Sequence, residues 1–249
     1  MRPDQIALQL YTVREMAADD LRGTLWTVAA TGFRSVEIAA LAETPAGELA
    51  HLLAEAGLQP VAEHVGIEEL RADPTGVADR MEALGCGRLI IPWMPDDNKR
   101  SPDDVRAFAS ELNGLGRQFS DRGIRLGYHN HAFEFAPLGG TTVWDVLLAE
   151  LAPNIELELD VYWASIGGCD PVAEIRRAGS RLKLLHMKDR SSGPEQRDAP
   201  SGEGTLDFPG IVRAGDAAGV EWYVVEQDEP QDPVADVASA YRYLASLSV

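Results

Sequence analysis

Short strand-like runs alternate with helical patterns along the whole 249-residue chain, and this alternation constrains the fold more than any other feature. The predicted strands are residues 6–10, 35–38, 59–63, 88–91, 125–129, 155–160, 182–187 and 222–226. Strands that alternate with helices indicate a parallel sheet, and eight is the number that closes a barrel. We therefore predict an α/β fold, a single-domain (β/α)8 TIM barrel that covers residues 1–249.

An open, doubly wound parallel sheet is the alternative arrangement of the same units. The chain has no GxGxxG after the first predicted strand and no GxxxxGKS or GxxxxGKT segment, so nucleotide-binding versions of an open sheet lose support. The longest irregular stretch, about 189–206, follows the seventh strand. A long loop at that point of a barrel is typically a lid or a substrate loop, and we interpret it as an inserted active-site loop.

The net charge of −18, from 22 basic and 40 acidic residues, sets limits on the partners. Such a field repels phosphate backbones and anionic membrane surfaces, so we expect neither nucleic acid nor a membrane as a partner. No apolar run approaches the roughly 18 residues that span a bilayer. Two distant cysteines, Cys86 and Cys169, suit a reducing compartment. We predict a cytoplasmic protein with a small-molecule substrate, and assembly into a homo-oligomer is compatible with the sequence.

Polar side chains gather where the last four predicted strands end. These residues are His129, His131 and Glu134 at strand five, Glu158 and Asp160 at strand six, His186 and Lys188 at strand seven, and Glu226 and Asp228 at strand eight. Catalytic groups of barrels lie at the C-terminal ends of the strands. Four of the five histidines fall at predicted strand ends, which structural histidines are not expected to do. The fifth, His51, lies within a predicted helix.

The alternation of side chains along strand six directs Glu158 and Asp160 toward the barrel axis, while Leu157 and Leu159 face the helices. Carboxylates that point into a barrel are costly to bury, and a divalent cation offsets several of them at once. Three oxygen ligands and one imidazole suit Mn²⁺, Mg²⁺, Co²⁺ or Zn²⁺, and the sequence does not choose among them. Taken singly, an acidic residue at a strand end is more often a helix cap or a surface ion pair, and His186 alone is also explained as a hydrogen-bonded core histidine.

At these residues the chain resembles the xylose isomerase-like barrel superfamily, and within it the sugar phosphate isomerase/epimerase group. The motifs that carry the resemblance are LQLYTVRE at strand one, LGYHNHAFEF at strand five, LELDVYW at strand six, LLHMKD at strand seven, GEGTLDF in the long loop and VVEQD at strand eight. The resemblance covers nearly the full length of the chain. It implies a metal held by Glu, Asp, His and Glu, one from each of strands five to eight.

Three of the implied ligands match this chain directly, namely Asp160, His186 and Glu226. At the position of the first ligand, where the family's epimerases have a glutamate, this chain has His129. We expect Glu134 to be the substitute ligand, because a glutamate a few residues beyond the strand can fold back from the loop. His129 or His131 is the alternative ligand.

The resemblance also implies that two glutamates move protons on opposite faces of a substrate carbon, while the metal polarises a carbonyl or hydroxyl and stabilises an enediolate. Glu226 is one such base, and Glu134, His131 or His129 is the other. A histidine base titrates near neutrality and suits proton abstraction beside a carbonyl, or elimination. The His-rich strand five therefore favours keto-sugars or inositol-like ketones over simple ketoses.

Six further residues are candidates for contact with a substrate, and they are Glu37, His64, Trp93, Glu158, Trp163 and Lys188. The two tryptophans can line an apolar wall against a sugar ring, but they are equally plausible in the core. Lys188 can hold an anionic oxygen or pair with Asp189. His64 is almost as well explained as a loop histidine.

The leading hypothesis is a divalent-metal-dependent isomerase or epimerase that acts on a sugar or keto-sugar. The second is a metal-dependent lyase of the inosose dehydratase type. An apurinic endonuclease-like hydrolase needs basic loops that face DNA, and the net charge of −18 disfavours it. A non-catalytic sugar-binding barrel gains support if the four expected ligands lie too far apart to share a metal.

Overall fold

Eight parallel strands close a barrel in chain order in the computed structural model, which describes residues 1–41 and 44–247. Residues 42, 43, 248 and 249 of the predicted domain lie outside the described residues. The strands are β1 (Ile6–Gln9), β2 (Ser35–Ile38), β3 (Gln59–His64), β4 (Arg88–Ile91), β5 (Arg125–His129), β6 (Glu156–Asp160), β7 (Leu182–His186) and β8 (Trp222–Val225). β1 pairs in parallel with both β2 and β8, so the sheet has no free edge. The predicted (β/α)8 fold is confirmed.

Helices surround the barrel, and at least one helix follows each strand. They are α1 (Arg14–Asp19), α2 (Leu21–Thr31), α3 (Ala46–Ala56), α4 (Ile67–Ala72), α5 (Pro74–Leu84), α6 (Pro102–Ser120), α7 (Val143–Glu150), α8 (Val161–Ile166), α9 (Pro171–Ala178), α10 (Phe208–Ala218) and α11 (Pro233–Ser246). Ser101, Asp170 and Asp232 cap the helices that follow them by accepting a backbone N–H. Among the described residues, no helix is both long and apolar enough to cross a bilayer.

The strands present two different faces. Leu157 and Leu159 of β6 belong to the large core between the barrel and its helices. A smaller cluster with Ala7, Ile90 and Leu184 fills the inside of the barrel. The barrel interior is therefore packed with side chains, and only its ends are open to polar chemistry.

A buried ion pair closes the amino-terminal end of the barrel. The guanidinium of Arg88 is almost fully buried, and its Nε lies 2.5 Å from Oε2 of Glu156. Its Nη2 lies 2.6 Å from Oε2 of Glu221, which is 41% exposed. The pair fixes the first residues of β4 and β6 at the end of the barrel opposite to the carboxyl ends of the strands.

We expect Arg88→Met to lower the free energy of unfolding by about 3 kcal/mol, because Glu156 stays buried and loses its close cation, with only the half-exposed Arg125 left near it. Urea denaturation at neutral pH measures the change. Arg125→Met is the matched control, since Arg125 is 49% exposed and lies 3.4–3.5 Å from the same two carboxylates. Its effect should stay within about 0.5 kcal/mol. Equal effects of the two substitutions would contradict the buried pair as the cause.

Candidate active site

Three side chains from neighbouring strand ends meet at the carboxyl end of the barrel. Asp160 ends β6 and His186 ends β7, and the two residues pair in register across the sheet. Glu226 directly follows β8, and its Oε2 lies 2.9 Å from Nδ1 of His186. Single ligand atoms of the three residues all lie within 4.8 Å of one another, and all three residues are buried. The structure thus brings together three of the four side chains expected to share a metal.

The two oxygens of Asp160 have different surroundings. Oδ1 accepts the backbone N–H of Trp163 at 2.8 Å and so caps α8. Oδ2 is buried and has no hydrogen-bond partner among the described residues. Burial raises the pKa of Asp160 to about 6. Two carboxylates and an imidazole are donors that divalent cations bind, and an ion at this point would satisfy the unpartnered oxygen.

Lys188 places a buried ammonium group beside the same carboxylates. Its Nζ lies 3.2 Å from Oδ2 of Asp160 without forming a hydrogen bond, 2.9 Å from Oε2 of Glu226 and 2.8 Å from Oδ2 of Asp228. Burial lowers the pKa of Lys188, but these three carboxylates outweigh that effect and hold it well above its usual value. Lys188 therefore stays charged, and its partner is Asp228 and not the adjacent Asp189. Alternation along strand eight predicts that Asp228 shares a face with Glu226, but it does not predict this pairing with Lys188.

A second group of titratable side chains lies on the axis, one alternation step further inside the barrel. Oε2 of Glu158 lies 2.8 Å from Nε2 of His64, 3.0 Å from Nδ1 of His129 and 3.3 Å from Nε2 of His186. Oε2 of Glu37 lies 2.7 Å from the same nitrogen of His186. Glu37 and Glu158, expected to contact substrate, are completely buried in this group.

Glu134 is not brought to the metal-ligand group. It lies in the short 3-10 turn Phe133–Phe135, where its Oε1 accepts from the hydroxyl of Tyr128 at 2.6 Å and its Oε2 from the backbone N–H of His131 at 2.8 Å. Tyr128 packs against Phe108 of α6, which places this carboxylate on the helix side of β5. Burial raises the pKa of Glu134 to about 8. The structure therefore does not group Glu134 with Asp160, His186 and Glu226, and its contacts instead fix the backbone that presents His131.

Aromatic side chains form one wall of the mouth. Trp93 is 47% exposed, and its ring centroid lies 4.9 Å from that of His131 and 4.8 Å from that of Phe133. Trp163 lies 5.6 Å from His131 on another element. Nδ1 of His131 and Nε1 of Trp163 are buried without a hydrogen-bond partner among the described residues. Unpartnered buried polar atoms in a native protein need an explanation, and a bound ligand is one.

A cavity of about 340 Å³ opens at this end of the barrel. Its walls are Tyr11, Ala39, Ala40, His64, Pro92, His129, His131, Glu226 and Asp228. Burial lowers the pKa of His129 to about 4 and that of His131 to about 2, so both rings are neutral at neutral pH. A larger depression of about 650 Å³ lies on the outer surface between α9 and α10, away from these strand ends. Because two carboxylates and three histidines line the mouth cavity, we take it as the candidate active site.

One buried carboxylate ties the long loop after β7 to the barrel. Oδ1 of Asp189 accepts the backbone N–H groups of Arg190 and Leu206 at 2.7 and 3.1 Å. Oδ2 accepts those of Gly202 and Gly204 at 3.0 and 2.9 Å. A Cβ at position 204 would collide with this carboxylate, so a glycine is required for the close approach. Four hydrogen bonds therefore hold both ends of the loop against β7.

We expect Asp189→Asn to speed amide hydrogen exchange across residues 190–206 by about 10-fold or more, because an NH2 group then faces two N–H donors and the charge-assisted bonds are lost. Hydrogen–deuterium exchange with mass spectrometry measures it. Glu195→Gln in the same loop is the control, since that side chain is 67% exposed. Unchanged exchange in Asp189→Asn would show that other contacts order the loop.

A closed parallel barrel with titratable groups at the carboxyl ends of its strands is the arrangement typical of (β/α)8-barrel enzymes. The family model described as xylose isomerase-like TIM barrel matches residues 26–247, and the chain belongs to that family. The resemblance inferred from the sequence motifs is thereby confirmed.

Individual relatives are more distant. An inosose dehydratase from Geobacillus thermodenitrificans (strain NG80-2) is 27% identical over 150 residues, which are 53% of this chain and 48% of that protein. The chain thus matches about half the length of this curated relative. A sugar phosphate isomerase/epimerase of known structure from Parabacteroides distasonis ATCC 8503 is 25% identical, with a TM-score of 0.86 over 97% of this chain and 98% of that one. An IOLI protein with a bound zinc atom has a TM-score of 0.77 over 96% of both chains, and at 16% identity it shows the fold alone.

Proposed function

We propose that this chain is a divalent-metal-dependent isomerase or epimerase of a sugar or keto-sugar. The observation that carries the proposal is the convergence of Asp160, His186 and Glu226 at the barrel end that holds the cavity. Family membership and the likeness to a sugar phosphate isomerase/epimerase support it. The cavity of about 340 Å³ is near the lower end of the range for small-molecule sites, which suits a single sugar ring.

Asp160, His186 and Glu226 would hold the cation, and Mn²⁺, Mg²⁺, Co²⁺ and Zn²⁺ all accept such donors. Three protein ligands with a remaining position for water or substrate are the pattern of catalytic metal sites. The cation supplies a Lewis acid for a carbonyl or hydroxyl oxygen and offsets the charge of an enediolate. We assign Glu134 no part in holding it.

Glu226 accepts a proton from the substrate carbon. Burial raises its pKa, but the charges of Lys188 and His186 outweigh burial and hold the pKa well below its usual value, so the group is ionised at neutral pH. It lines the cavity, and Lys188 at 2.9 Å fixes the orientation of its carboxylate. Lys188 also supplies a positive charge beside the substrate oxygens.

His131 is the second proton-transfer group. It lines the same cavity as Glu226, from a different strand end, and its ring is neutral. Nδ1 of His131 and Nε1 of Trp163 are both free to hydrogen-bond a substrate hydroxyl or carbonyl oxygen. His129 is less free, because its Nδ1 is engaged by Glu158 at 3.0 Å. Trp93 offers its exposed ring to the apolar face of a sugar.

Metal analysis and isotope exchange test the proposal together. Purified protein is analysed for bound metals, stripped with a chelator, and resupplied separately with Mn²⁺, Mg²⁺, Co²⁺ or Zn²⁺. Each sample is then incubated in D₂O with a panel of ketoses and keto-sugars. We expect deuterium at the carbon beside the carbonyl only in the metal-loaded samples. Full turnover by the stripped protein, or no exchange with any sugar, would defeat the proposal.

A metal-dependent lyase of the inosose dehydratase type is the second candidate. Two observations favour it, namely the 27% identity to an inosose dehydratase and the neutral His129 where the family's epimerases have a glutamate. Loss of water from a keto-polyol creates a conjugated product with ultraviolet absorbance and lower mass, whereas epimerisation changes no mass. Mass spectrometry of the products from the same panel therefore separates the two reactions.

A further inference from the structure

Three imidazoles from three different strands surround one carboxylate oxygen inside the barrel. The nitrogens of His64, His129 and His186 lie 2.8, 3.0 and 3.3 Å from Oε2 of Glu158. The four ligand atoms all lie within 4.8 Å of one another. Glu158 precedes Asp160 by two residues on the same face of β6, and His186 belongs to both ligand groups, so the two groups adjoin each other along the barrel axis.

Hydrogen bonds within the protein do not satisfy this cluster. Oε1 of Glu158 and Oε1 of Glu37 are buried and have no partner among the described residues, while both residues are completely buried. Three imidazole rings thus lie beside Oε2 of Glu158, whereas Oε1 of the same carboxylate has no partner among the described residues. A buried polar network that is only partly satisfied is costly, and a species that binds several of these atoms at once would relieve it.

Carboxylates are also concentrated along the barrel axis. Five carboxylates are gathered here, those of Glu37, Glu158, Asp160, Glu226 and Asp228. Among the described residues in direct contact with them, Lys188 supplies one fixed positive charge. The carboxylates thus outnumber the described lysine and arginine side chains in contact with them, and bound cations are one way to offset such a group.

We propose that His64, His129 and Glu158 form a second divalent-cation site at the barrel axis, beside the one held by Asp160, His186 and Glu226. Its nitrogen-rich donors favour an ion of the Zn²⁺ or Co²⁺ class, whereas the other, carboxylate-rich site also accepts Mg²⁺ and Mn²⁺. Glu37 is the neighbouring carboxylate, with its Oε2 at 3.4 Å from Nε2 of His64. His186 lies between the two sites, with Nδ1 toward Glu226 and Nε2 toward Glu37.

Counting bound Co²⁺ tests this site without any substrate. Chelator-stripped protein is titrated with Co²⁺ at neutral pH, the visible absorption bands are followed, and bound metal is measured by elemental analysis after gel filtration. We expect two Co²⁺ per wild-type chain, and one each for His64→Gln, Glu158→Gln and Asp160→Asn. His51→Gln is the matched control, because His51 lies exposed on α3, and it should keep two.

One Co²⁺ per wild-type chain would overturn the site and leave a network of protonated histidines in its place. Two Co²⁺ in both folded His64→Gln and Glu158→Gln would place the second ion elsewhere and equally overturn it. The wild-type count stands even if a variant fails to fold, which circular dichroism would show. Since the readout is stoichiometry, failure of the sugar exchange would count against the proposed reaction and not against this site.

Discussion

Replacing Glu226 with glutamine is expected to slow deuterium exchange into a keto-sugar by about 10²–10⁴-fold, the usual contribution of a general base. The amide keeps the size of the side chain but cannot take a proton from carbon. It is also a weaker ligand, and it deprives His186 and Lys188 of a charged partner at 2.9 Å. Exchange is measured by NMR in a single turnover, with bound metal counted in the same sample.

Glu229→Gln is the control for this substitution, because Glu229 is an exposed carboxylate three residues further along the chain. It should exchange deuterium at the wild-type rate. Metal content separates the two roles of Glu226. If Glu226→Gln keeps its metal and loses exchange, the substitution has removed the base. If it loses both the metal and the exchange, the substitution has removed a metal ligand. Undiminished exchange with metal bound would remove Glu226 from the reaction.

The barrel could be predicted because its signals are local and repeated. All eight strands lie within one residue of their predicted bounds at each end, since short apolar runs are bounded by helix caps, prolines and glycines. Three six-residue helices, α1, α4 and α8, were not predicted. Fewer than two turns provide too few positions for a period of 3.6 residues to show. In each case the chain fills a gap between a strand and its main helix.

The candidate site was predictable on the strands and not in the loops. Strict alternation places Asp160 and His186 on the axis, and the same rule separates Lys188 from Asp189, which lie on opposite faces. Glu134 follows the strand in a 3-10 turn, where no alternation fixes the direction of a side chain. The signal that was available is Tyr128, whose outward-facing buried hydroxyl needs an acceptor nearby.

Lys188→Met is expected to destabilise the metal-free protein by about 3 kcal/mol, because carboxylates that remain buried lose their cation. Asp160 and Glu226 are almost completely buried, and Asp228 is about one-third exposed. A divalent cation and the ammonium group compete for the same oxygens, so the variant should gain more stability than the wild type when metal is added. Urea denaturation in chelator and in excess Mn²⁺ or Zn²⁺ measures both effects.

Lys183→Met is the control for Lys188→Met. Lys183 is on β7, five residues before Lys188, its side chain is 27% exposed, and its Nζ lies 3.8 Å from Glu221, so its removal should cost less than about 1 kcal/mol with no dependence on metal. Equal stabilisation of wild type and Lys188→Met by the metal would mean that the ammonium group and the cation do not share ligands. The cation would then lie away from Asp160 and Glu226, and the proposed metal site would fail at its central residues.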